Sequence, residues 1–293
     1  MTLETKAKRR RPQVKAFLRR IAFLAAATVL AVAIAGCGQS SSKNGANKEA
    51  SNKQQEQSRP KYVVATEASF APFEFRDDKT GDYVGFDIEL MKALAEVQGF
   101  GVEFKDMGFD GIIAAVKTGN VDMAISAISI DDDRKQQVDF SLPYYQSGLC
   151  VAVRADNNTI KGFQDLKGKR IAVQIGTTGA KYVKNNIEGA RVTEYNTVND
   201  AFMELINGGV DAFVNDYPVS LYFIKQGNNK VKIVGDLANS EFYGIAIPKG
   251  KTELLQKVNE GLKKLKESGK YAEIYRKWFG ENPPDFLPGE PPK

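Results

Sequence analysis

A repeated pattern of helix, glycine and strand limits the folds open to this chain more than any other feature. Lys117–Ala124 (KTGNVDMA) and Ile206–Phe213 (INGGVDAF), 89 residues apart, each hold a predicted helix end, a glycine and a strand with aspartate as its second residue. So short a unit could recur by chance. The flanking elements recur as well, with predicted strands at 170–174 and 191–195 and predicted helices at 179–186 and 198–207. Such alternation predicts two similar α/β lobes, and about 220 residues exceed the usual size of one core.

The stretch Tyr62–Leu94 predicts the first strand, a recognition loop and the first helix. Tyr62–Thr66 is a largely apolar run typical of a buried parallel strand, and it ends at Glu67. Asp87 is predicted to be the N-cap of the helix. Because ligands of open α/β sheets bind beyond the carboxyl ends of the strands, Glu67 and Phe70 form a candidate recognition loop.

Two extended apolar segments, Tyr144–Val153 and Phe242–Pro248, predict the places where the chain crosses between the lobes. The strand after the first copy of the repeat is predicted at Val121–Ser126. The final predicted helices, Lys251–Ser268 and Tyr271–Phe279, rejoin the first lobe. The predicted lobes are residues 61–146 with 243–281, and residues 147–242, followed by a tail at 282–293. Two hinge strands predict a clamshell that holds a ligand in its cleft.

The amino terminus predicts a secretory signal over residues 1–36. Eight basic residues precede the uncharged run Ile21–Gly36, as in a signal peptide. A helix of this length reaches about 24 Å, less than the ~30 Å of a hydrocarbon core, which favours a cleaved signal over a membrane span. Ile34–Cys37 resembles a lipobox, so Cys37 is the predicted site of diacylation, such as by palmitate, and two acyl chains suffice for a membrane anchor. An ordinary signal with an incidental cysteine is the alternative, and the polar residues 37–60 predict a flexible tether.

The net charge and the rare residue types argue against several functions. Residues 1–36 carry eight of the 41 Lys and Arg and one of the 36 Asp and Glu, so the formal charge of +5 becomes 33 − 35 = −2 without them. A domain without a basic excess does not indicate a nucleic-acid partner. The chain has no histidine, the commonest general base and transition-metal ligand, so neither a metal nor a cofactor is expected. Cys150 is predicted to pack as a small apolar residue.

Several short motifs supply polar groups for a ligand. Asp131–Asp133 lacks the spacing of a calcium-binding EF-hand loop, and acids at a helix start need no metal. Arg134 can hold a carboxylate bidentately, or can form a surface ion pair. Ile175–Gly179 joins a strand to a helix, and it either binds an anion or is a structural turn. Asp216 ends a strand, and it either binds an ammonium group or caps the following helix.

These motifs are similar to those of the polar amino-acid-binding proteins of ABC importers, the bacterial solute-binding protein family 3. The similar stretches are Ala71–Phe75, Gly85–Leu90, Ser126–Ser129, Asp133–Lys135, Phe140–Ser141, Gly176–Thr178 and Tyr271–Phe279. The resemblance covers nearly all of residues 61–281. It implies a two-lobed clamshell of the type II periplasmic-binding-protein class, a role without catalysis, and an ABC permease with its ATPase as partners.

The resemblance also implies roles for single residues. It places Arg134 on the ligand's α-carboxylate together with Thr177 and Thr178 from the opposite lobe, and it places Asp216 on the ligand's amino group. The remaining implied contacts are those of Ser126, Ala127 and Ser129 to the clamp and of Phe70 and Phe109 to the ligand's side chain. A place in the hydrophobic core is the alternative for either phenylalanine.

The residues at positions 67 and 174 predict the class of ligand. In the glutamine binders of the family, the resemblance puts aspartate at position 67 and lysine at position 174, whereas this chain has Glu67 and Gln174. The pocket is therefore one formal charge more negative, and a cationic ligand relieves the cost of a buried carboxylate. We expect a basic L-amino acid, namely arginine or lysine, or else histidine or ornithine, bound by a monomer that is lipid-anchored outside the cytoplasm. The alternatives are a glutamine-binding protein, an enzyme such as a dehydratase on the same fold, and a sensory binding domain.

Overall fold

The computed structural model describes residues 59–292, which form two five-stranded sheets, one three-stranded sheet and eight α-helices. The predicted signal peptide, the predicted lipidation site Cys37 and residues 37–58 of the predicted tether lie outside the described residues. Between residues 59 and 292, no helix is both long enough and apolar enough to cross a membrane.

Strands and helices alternate along most of the described chain. The strands are β1 (Lys61–Thr66), β2 (Ser69–Phe70), β3 (Glu74–Arg76), β4 (Tyr83–Val84), β5 (Gly101–Asp106), β6 (Met123–Ala124), β7 (Val138–Phe140), β8 (Tyr145–Arg154), β9 (Arg170–Gln174), β10 (Arg191–Tyr195), β11 (Ala212–Asp216), β12 (Val231–Tyr243) and β13 (Ala246–Pro248). The helices are α1 (Phe86–Gln98), α2 (Phe109–Lys117), α3 (Asp132–Lys135), α4 (Thr178–Asn186), α5 (Val198–Asn207), α6 (Tyr217–Lys225), α7 (Thr252–Glu267) and α8 (Lys270–Phe279), with a 3-10 turn at Phe163–Asp165.

Each of the two lobes is built around one five-stranded sheet. Lobe 1 contains the sheet of strand order β5-β1-β6-β13-β7, and lobe 2 contains the sheet of order β10-β9-β11-β8-β12. β1, β5 and β6 run parallel to one another, as do β9, β10 and β11. The carboxyl ends of the parallel strands therefore lie at one edge of each sheet, where ligands bind in open α/β sheets. This architecture confirms the predicted two-lobed α/β fold.

The two copies of the repeated unit make the same contact in their respective lobes. Asp122 Oδ2 accepts a hydrogen bond from the Val63 N–H at 2.7 Å, and Asp211 Oδ2 accepts one from the Arg170 N–H at 2.9 Å. Each aspartate directly precedes a parallel strand and bonds to the neighbouring strand of the same sheet. The repeat therefore has a structural basis, since each copy ties the start of one strand to the next.

A cluster of buried tyrosines lies where the chain crosses between the lobes. Tyr145 at the start of β8 pairs with Tyr243 at the end of β12. The Tyr145 ring stacks on Tyr243 and on Tyr275 of α8, with centroid distances of 5.5 Å and 5.6 Å. All three side chains are buried. Packing of these large rings fixes both crossing strands to a helix of lobe 1.

The structure corrects the predicted role of Asp87. The N-cap of α1 is Gly85, and no side-chain cap is present. A Cβ atom at Gly85 would lie 2.1 Å from the carbonyl oxygen of Phe73, and its φ of 129° is one that glycine alone adopts readily. Asp87 is instead fully buried in the first turn, where its carboxylate accepts a hydrogen bond from the Ala127 N–H at 2.8 Å.

The strand predicted at Val121–Ser126 is also shorter than expected, because β6 covers Met123–Ala124 only. The chain bends just after it, since Ser126 Oγ accepts a hydrogen bond from the Glu67 N–H at 3.0 Å and Ala127 has a φ of 45°. By contrast, β9, β10 and α5 have the predicted limits. Cys150 is buried at 1% exposure, which confirms its predicted packing.

Candidate functional site

Polar side chains from the carboxyl ends of four parallel strands meet between the lobes. Glu67 follows β1 and Ser126 follows β6 in lobe 1, while Gln174 ends β9 and Asp216 ends β11 in lobe 2. Gln174 Nε2 donates a hydrogen bond to Glu67 Oε2 at 3.3 Å, which joins the two lobes directly. The sheet edges predicted to bind a ligand therefore face each other.

Glu67 is a buried carboxyl group that no cation neutralises in the described part of the chain. Its residue exposure is 5%, and no lysine or arginine of residues 59–292 forms an ion pair with it. Ser69 Oγ donates to Oε1 at 2.5 Å. Burial is the main cause that raises the pKa of Glu67, and the hydrogen bonds from Ser69 and Gln174 oppose this.

Arg134 is held at the boundary between the lobes, with its guanidinium almost completely buried. Its side chain is 9% exposed, Nη1 donates to the carbonyl of Ser129 at 2.7 Å, and Nη2 donates across the cleft to the carbonyl of Gly176 at 3.1 Å. Its Cζ lies 5.4 Å from the centroid of the Phe109 ring. Asp131 caps α3 and lies 4.0 Å from Nε. The structure therefore excludes the alternative of an ordinary surface ion pair.

Asp216 occupies the N-cap position of α6 without capping that helix. Its side chain makes no cap hydrogen bond, and within residues 59–292 no donor reaches Oδ1. Burial is the first cause that raises the pKa of Asp216 well above its usual range, and the nearby Glu241 carboxylate adds to it. Tyr243 and Arg134 act in the opposite direction. The capping alternative is therefore wrong, and this carboxyl is available for another partner.

The two predicted threonines at the start of α4 have different surroundings. Thr177 caps the helix, because its Oγ1 accepts a hydrogen bond from the Ala180 N–H at 3.1 Å and donates to the carbonyl of Gln174 at 2.7 Å. The hydroxyl of Thr177 thus serves the turn itself, as in the structural alternative. Thr178 instead directs its hydroxyl towards the cleft and donates to Glu241 Oε2 at 2.8 Å.

Glu241, which the sequence analysis missed, lies at the centre of this site. Its Oε2 accepts hydrogen bonds from Ser129 Oγ at 2.6 Å and from Thr178 Oγ1 at 2.8 Å, and its residue exposure is 9%. The available sequence signal was an acid directly before the predicted crossing Phe242–Pro248. It gave no direction for the side chain, because the pairing register of β12 shifts between Ala238 and Glu241.

The remaining predicted residues lie around this centre in different environments. Ser126 Oγ uses its one donor inside lobe 1, since it donates to Glu74 at 2.8 Å, and it also accepts from the Glu67 N–H. Phe70 is 6% exposed and packs in the core with a centroid distance of 6.2 Å to Phe73. Phe109, at the start of α2, is half-buried beside Arg134. The roles of these residues and of Ala127 towards a ligand stay predictions.

A model of the bacterial extracellular solute-binding proteins, family 3, matches residues 62–281. The chain belongs to this family. Among its relatives, the L-cystine-binding protein TcyJ of Escherichia coli (strain K12) is 32% identical over 219 residues, which are 74% of this chain and 82% of TcyJ. The arginine-binding extracellular protein ArtP of Bacillus subtilis (strain 168) is 31% identical over 266 residues, 89% of this chain and 98% of ArtP.

A solved structure from the family agrees with the fold. The arginine-, lysine-, histidine-binding protein ArtJ from Geobacillus stearothermophilus matches with a TM-score of 0.72 and 42% identity, covering 76% of this chain and 96% of ArtJ. As a family member, this chain is an extracytoplasmic amino-acid-binding protein of an ABC transporter. These relatives are binding proteins, which confirms that the chain is not an enzyme, but their ligands differ from one another.

Two cavities in this solute-binding protein, each lined in part by Thr178, open along the seam between the lobes. One, of about 450 Å³, is lined by Ser129 and Glu241, and the other, of about 410 Å³, is lined by Phe109 and Arg134. Six of the predicted residues line neither cavity: Glu67, Phe70, Ser126, Ala127, Gln174 and Asp216. Among residues 59–292, no group of three or more His, Cys, Asp or Glu side chains could hold a metal ion.

Proposed function

We propose that this protein captures a basic L-amino acid, arginine or lysine in the first place, and delivers it to its ABC permease and ATPase. The observation that carries the proposal is the environment of Glu67, a carboxyl group that is 5% exposed and hydrogen-bonded to Ser69 and Gln174 but to no cation. A buried carboxylate without a cationic partner is costly. A guanidinium or ammonium group at the tip of the ligand offsets that cost.

The other end of the ligand is assigned to the opposite charges around Arg134. Arg134 presents a planar guanidinium that suits an α-carboxylate, and a charge-assisted contact of this kind is worth roughly 1.5 to 3 kcal/mol. Asp216, with one oxygen unpartnered in the described chain, suits the α-ammonium. Glu241 adds a second acid near Asp216 and receives the hydroxyls of Ser129 and Thr178.

The charge balance of the cleft favours a cation over a neutral side chain. Glu67, Asp216 and Glu241 supply three acidic groups, whereas Arg134 is the one basic group among the site residues discussed. The two charged groups on the α-carbon of any amino acid cancel, so only a basic side chain adds positive charge. Glutamine, whose side chain is neutral, would leave Glu67 without a counter-charge. Phe70 and Phe109 are proposed to enclose the apolar part of the side chain, with Ser126 and Ala127 contributing backbone groups.

Titration calorimetry with arginine, lysine, ornithine, histidine, glutamine and cystine tests the choice of ligand. We expect arginine or lysine to bind with a dissociation constant in the micromolar range or below, which corresponds to a binding free energy of about −8 kcal/mol or a more negative value. Glu67→Gln should weaken arginine binding by roughly 10- to 100-fold, the equivalent of one charge-assisted contact. Glu188→Gln removes the same charge from a surface ion pair with Lys167 and serves as the matched control. Tight glutamine or cystine binding without measurable arginine binding would overturn the proposal.

The limits of the lobes and the anchor are part of the same proposal. We assign residues 61–146 with 243–281 to one lobe, residues 147–242 to the other and 282–293 to a tail. The assignment is supported by β7 and β13 lying in the sheet of lobe 1 while β8 and β12 lie in that of lobe 2. We further propose that residues 1–36 are removed and that Cys37 carries the lipid of a monomeric lipoprotein. Cys37→Ser should release the protein from the membrane fraction, and an unchanged membrane fraction would contradict the anchor.

A further inference from the structure

Two fully buried carboxyl groups lie beneath the turn at Ser126–Ala127, apart from the three acids assigned to the ligand. Glu74 belongs to β3 and Asp87 to the first turn of α1, and both residues are 0% exposed. In the described part of the chain, neither forms an ion pair with a lysine or an arginine. Two bare negative charges in such a place are costly, so their stabilisation needs another source.

Each of the two carboxyls uses one oxygen to hold the turn. Glu74 Oε1 accepts a hydrogen bond from Ser126 Oγ at 2.8 Å. Asp87 Oδ2 accepts hydrogen bonds from the Ala127 N–H at 2.8 Å and from the Tyr144 hydroxyl at 2.7 Å. These contacts hold Ala127 in a backbone conformation that is uncommon for a residue other than glycine, with a φ of 45°. They also fix the hydroxyl to which the Glu67 N–H donates.

The second oxygen of each carboxyl receives no hydrogen bond from any donor in residues 59–292. These atoms are Glu74 Oε2 and Asp87 Oδ1, and both are buried. The two side chains are neighbours, because the Asp87 N–H donates to the carbonyl of Phe73, the residue before Glu74, at 2.9 Å, and because they hold the consecutive residues Ser126 and Ala127. Two carboxylate oxygens can only accept, whereas a protonated carboxyl also donates. One proton between the two oxygens therefore satisfies both of them.

We propose that Glu74 and Asp87 share one proton and that, as a pair, they position the Ser126–Ala127 turn in the binding cleft. They are positioning residues, because they act on the ligand through the turn and through the backbone of Glu67. The inference rests on the proposed function only in taking this turn and Glu67 as parts of the ligand site. The existence of the shared proton is independent of which amino acid binds.

The charges around the pair place the proton on Glu74. Burial and the neighbouring carboxylates of Asp87 and Glu67 raise the pKa of Glu74 well above its usual range, with the Ser126 hydroxyl opposing. Burial raises the pKa of Asp87 to about 6, whereas the Ala127 N–H and the Tyr144 hydroxyl stabilise its charged form and oppose that rise. The hydroxyl of Tyr271 on α8 donates to the carbonyl of Tyr144 at 2.7 Å, and burial is the first cause that raises the pKa of Tyr271, with Tyr275 and Asp87 adding to it.

The sign of the pH effect follows from a carboxyl pKa that is higher in the folded protein. The contribution of protonated Glu74 to the free energy of unfolding is fully present below the pKa that glutamate has in the unfolded chain. It is lost as the pH rises through the raised pKa of Glu74 in the folded protein. Relative to Glu74→Gln, the wild-type folding equilibrium constant should therefore fall with rising pH, by at most about tenfold per pH unit for one proton. Glu89→Gln, on α1 with Asp87 but in an ion pair with Lys277, is the matched control and should show no such difference.

Amide substitutions test the shared proton directly. In Glu74→Gln the amide N–H faces Asp87, and in Asp87→Asn it faces Glu74, so each single variant keeps every contact and should bind arginine within about threefold of wild type. In the double variant two N–H₂ groups face each other without an acceptor. We expect at least about tenfold weaker binding there, or a lowered thermal midpoint of the protein without ligand. The proposal would be overturned if both single variants bound arginine much more weakly than wild type while the double variant bound it and melted like wild type.

Infrared difference spectra give a measurement that needs no ligand. Wild type at neutral pH should show the carbonyl stretch of a buried protonated carboxyl, which shifts in D₂O and is absent from Glu74→Gln. Absence of that band in wild type, or a stability difference between wild type and Glu74→Gln that is constant with pH, would refute the shared proton. These results hold even if arginine does not bind, so a failure here is distinguishable from a failure of the proposed function.

Discussion

Gln174 of lobe 2 donates its side-chain N–H to the carboxyl of Glu67 in lobe 1, with 3.3 Å between Nε2 and Oε2. The same nitrogen donates to the carbonyl of Asn196 at 3.1 Å, and the Gln174 side chain is almost fully buried. A neutral amide thus occupies the place where a cation would neutralise Glu67. We therefore expect the identity of residue 174 to control the charge that Glu67 presents to the proposed ligand.

Gln174→Lys should change the preference of the cleft from arginine towards glutamine. A lysine ammonium beside Glu67 would supply the counter-charge internally and would repel a basic side chain. We expect arginine to bind roughly 10- to 100-fold more weakly, the loss of one charge-assisted contact, while binding of glutamine is kept or improved. Parallel calorimetric titrations with both ligands measure the change.

The control for this variant is Gln146→Lys, which adds the same charge at an exposed position of β8. It should leave the ratio of the arginine and glutamine affinities unchanged. Arginine binding that survives Gln174→Lys at full strength would show that Glu67 is not the partner of the cationic group.

Binding of a basic amino acid should release protons at pH values around the raised pKa values of Glu67 and Asp216. Burial raises the pKa of both Glu67 and Asp216, whereas a bound cation favours their ionised forms. The affinity should therefore rise with pH through these raised pKa values, by up to about tenfold per pH unit for each proton released, and then level off. Titrations in buffers with different ionisation enthalpies count the protons, and uptake instead of release would contradict the assignment.

Glu241→Gln should move the acidic limb of this pH profile to lower pH. The carboxylate of Glu241 is the second cause of the raised pKa of Asp216, after burial. Its removal makes Asp216 easier to ionise, while the amide oxygen can still accept hydrogen bonds from Ser129 and Thr178. The pH at half-maximal affinity for arginine reports the shift. A midpoint that stays in place would mean that Asp216 does not limit binding at low pH.

The sequence was sufficient to predict the lobes because their determinants are local. The limits of β9, β10 and α5 agree with the predictions, since each element combines a short apolar pattern with a nearby breaker. Arg134 and Asp216 were singled out because they lie after or at the end of predicted strands, near the edge where ligands bind. The structure removes the surface ion pair of Arg134 and the side-chain cap of Asp216, while the roles of both residues towards a ligand stay predictions.

The sequence failed where a side chain acts through contacts far away along the chain. Asp87 fits the local pattern of a helix cap, but its partners Ala127 and Tyr144 lie 40 and 57 residues away. Glu241 was missed because the register of β12 shifts just before it, so alternation along the strand does not give its direction. Both outcomes depend on tertiary packing that no short window of sequence contains.

Cys150 should resist thiol reagents as long as the protein is folded. The thiol is 1% exposed, and burial raises its pKa to about 12, so almost no reactive thiolate is present at neutral pH. We expect labelling of a Cys37→Ser variant to follow global unfolding in denaturant. Rapid labelling of the native protein would show that lobe 2 opens locally around β8.

The two aspartates of the internal repeat should contribute to stability in the same way. Asp122→Ala leaves the Val63 N–H of β1 without its partner, and Asp211→Ala does the same to the Arg170 N–H of β9. Each loss should lower the free energy of unfolding by about 1 to 3 kcal/mol, the usual cost of an unsatisfied partly buried donor.

Asp122→Asn keeps an acceptor oxygen at the same place and should recover most of the stability that Asp122→Ala loses. Asp211→Asn should recover less, because Asp211 also pairs with the Arg170 guanidinium at 2.6 Å. Urea denaturation of the four variants measures these differences, and equal losses for Asp122→Ala and Asp122→Asn would show that the negative charge, not the hydrogen bond, is what the repeat preserves.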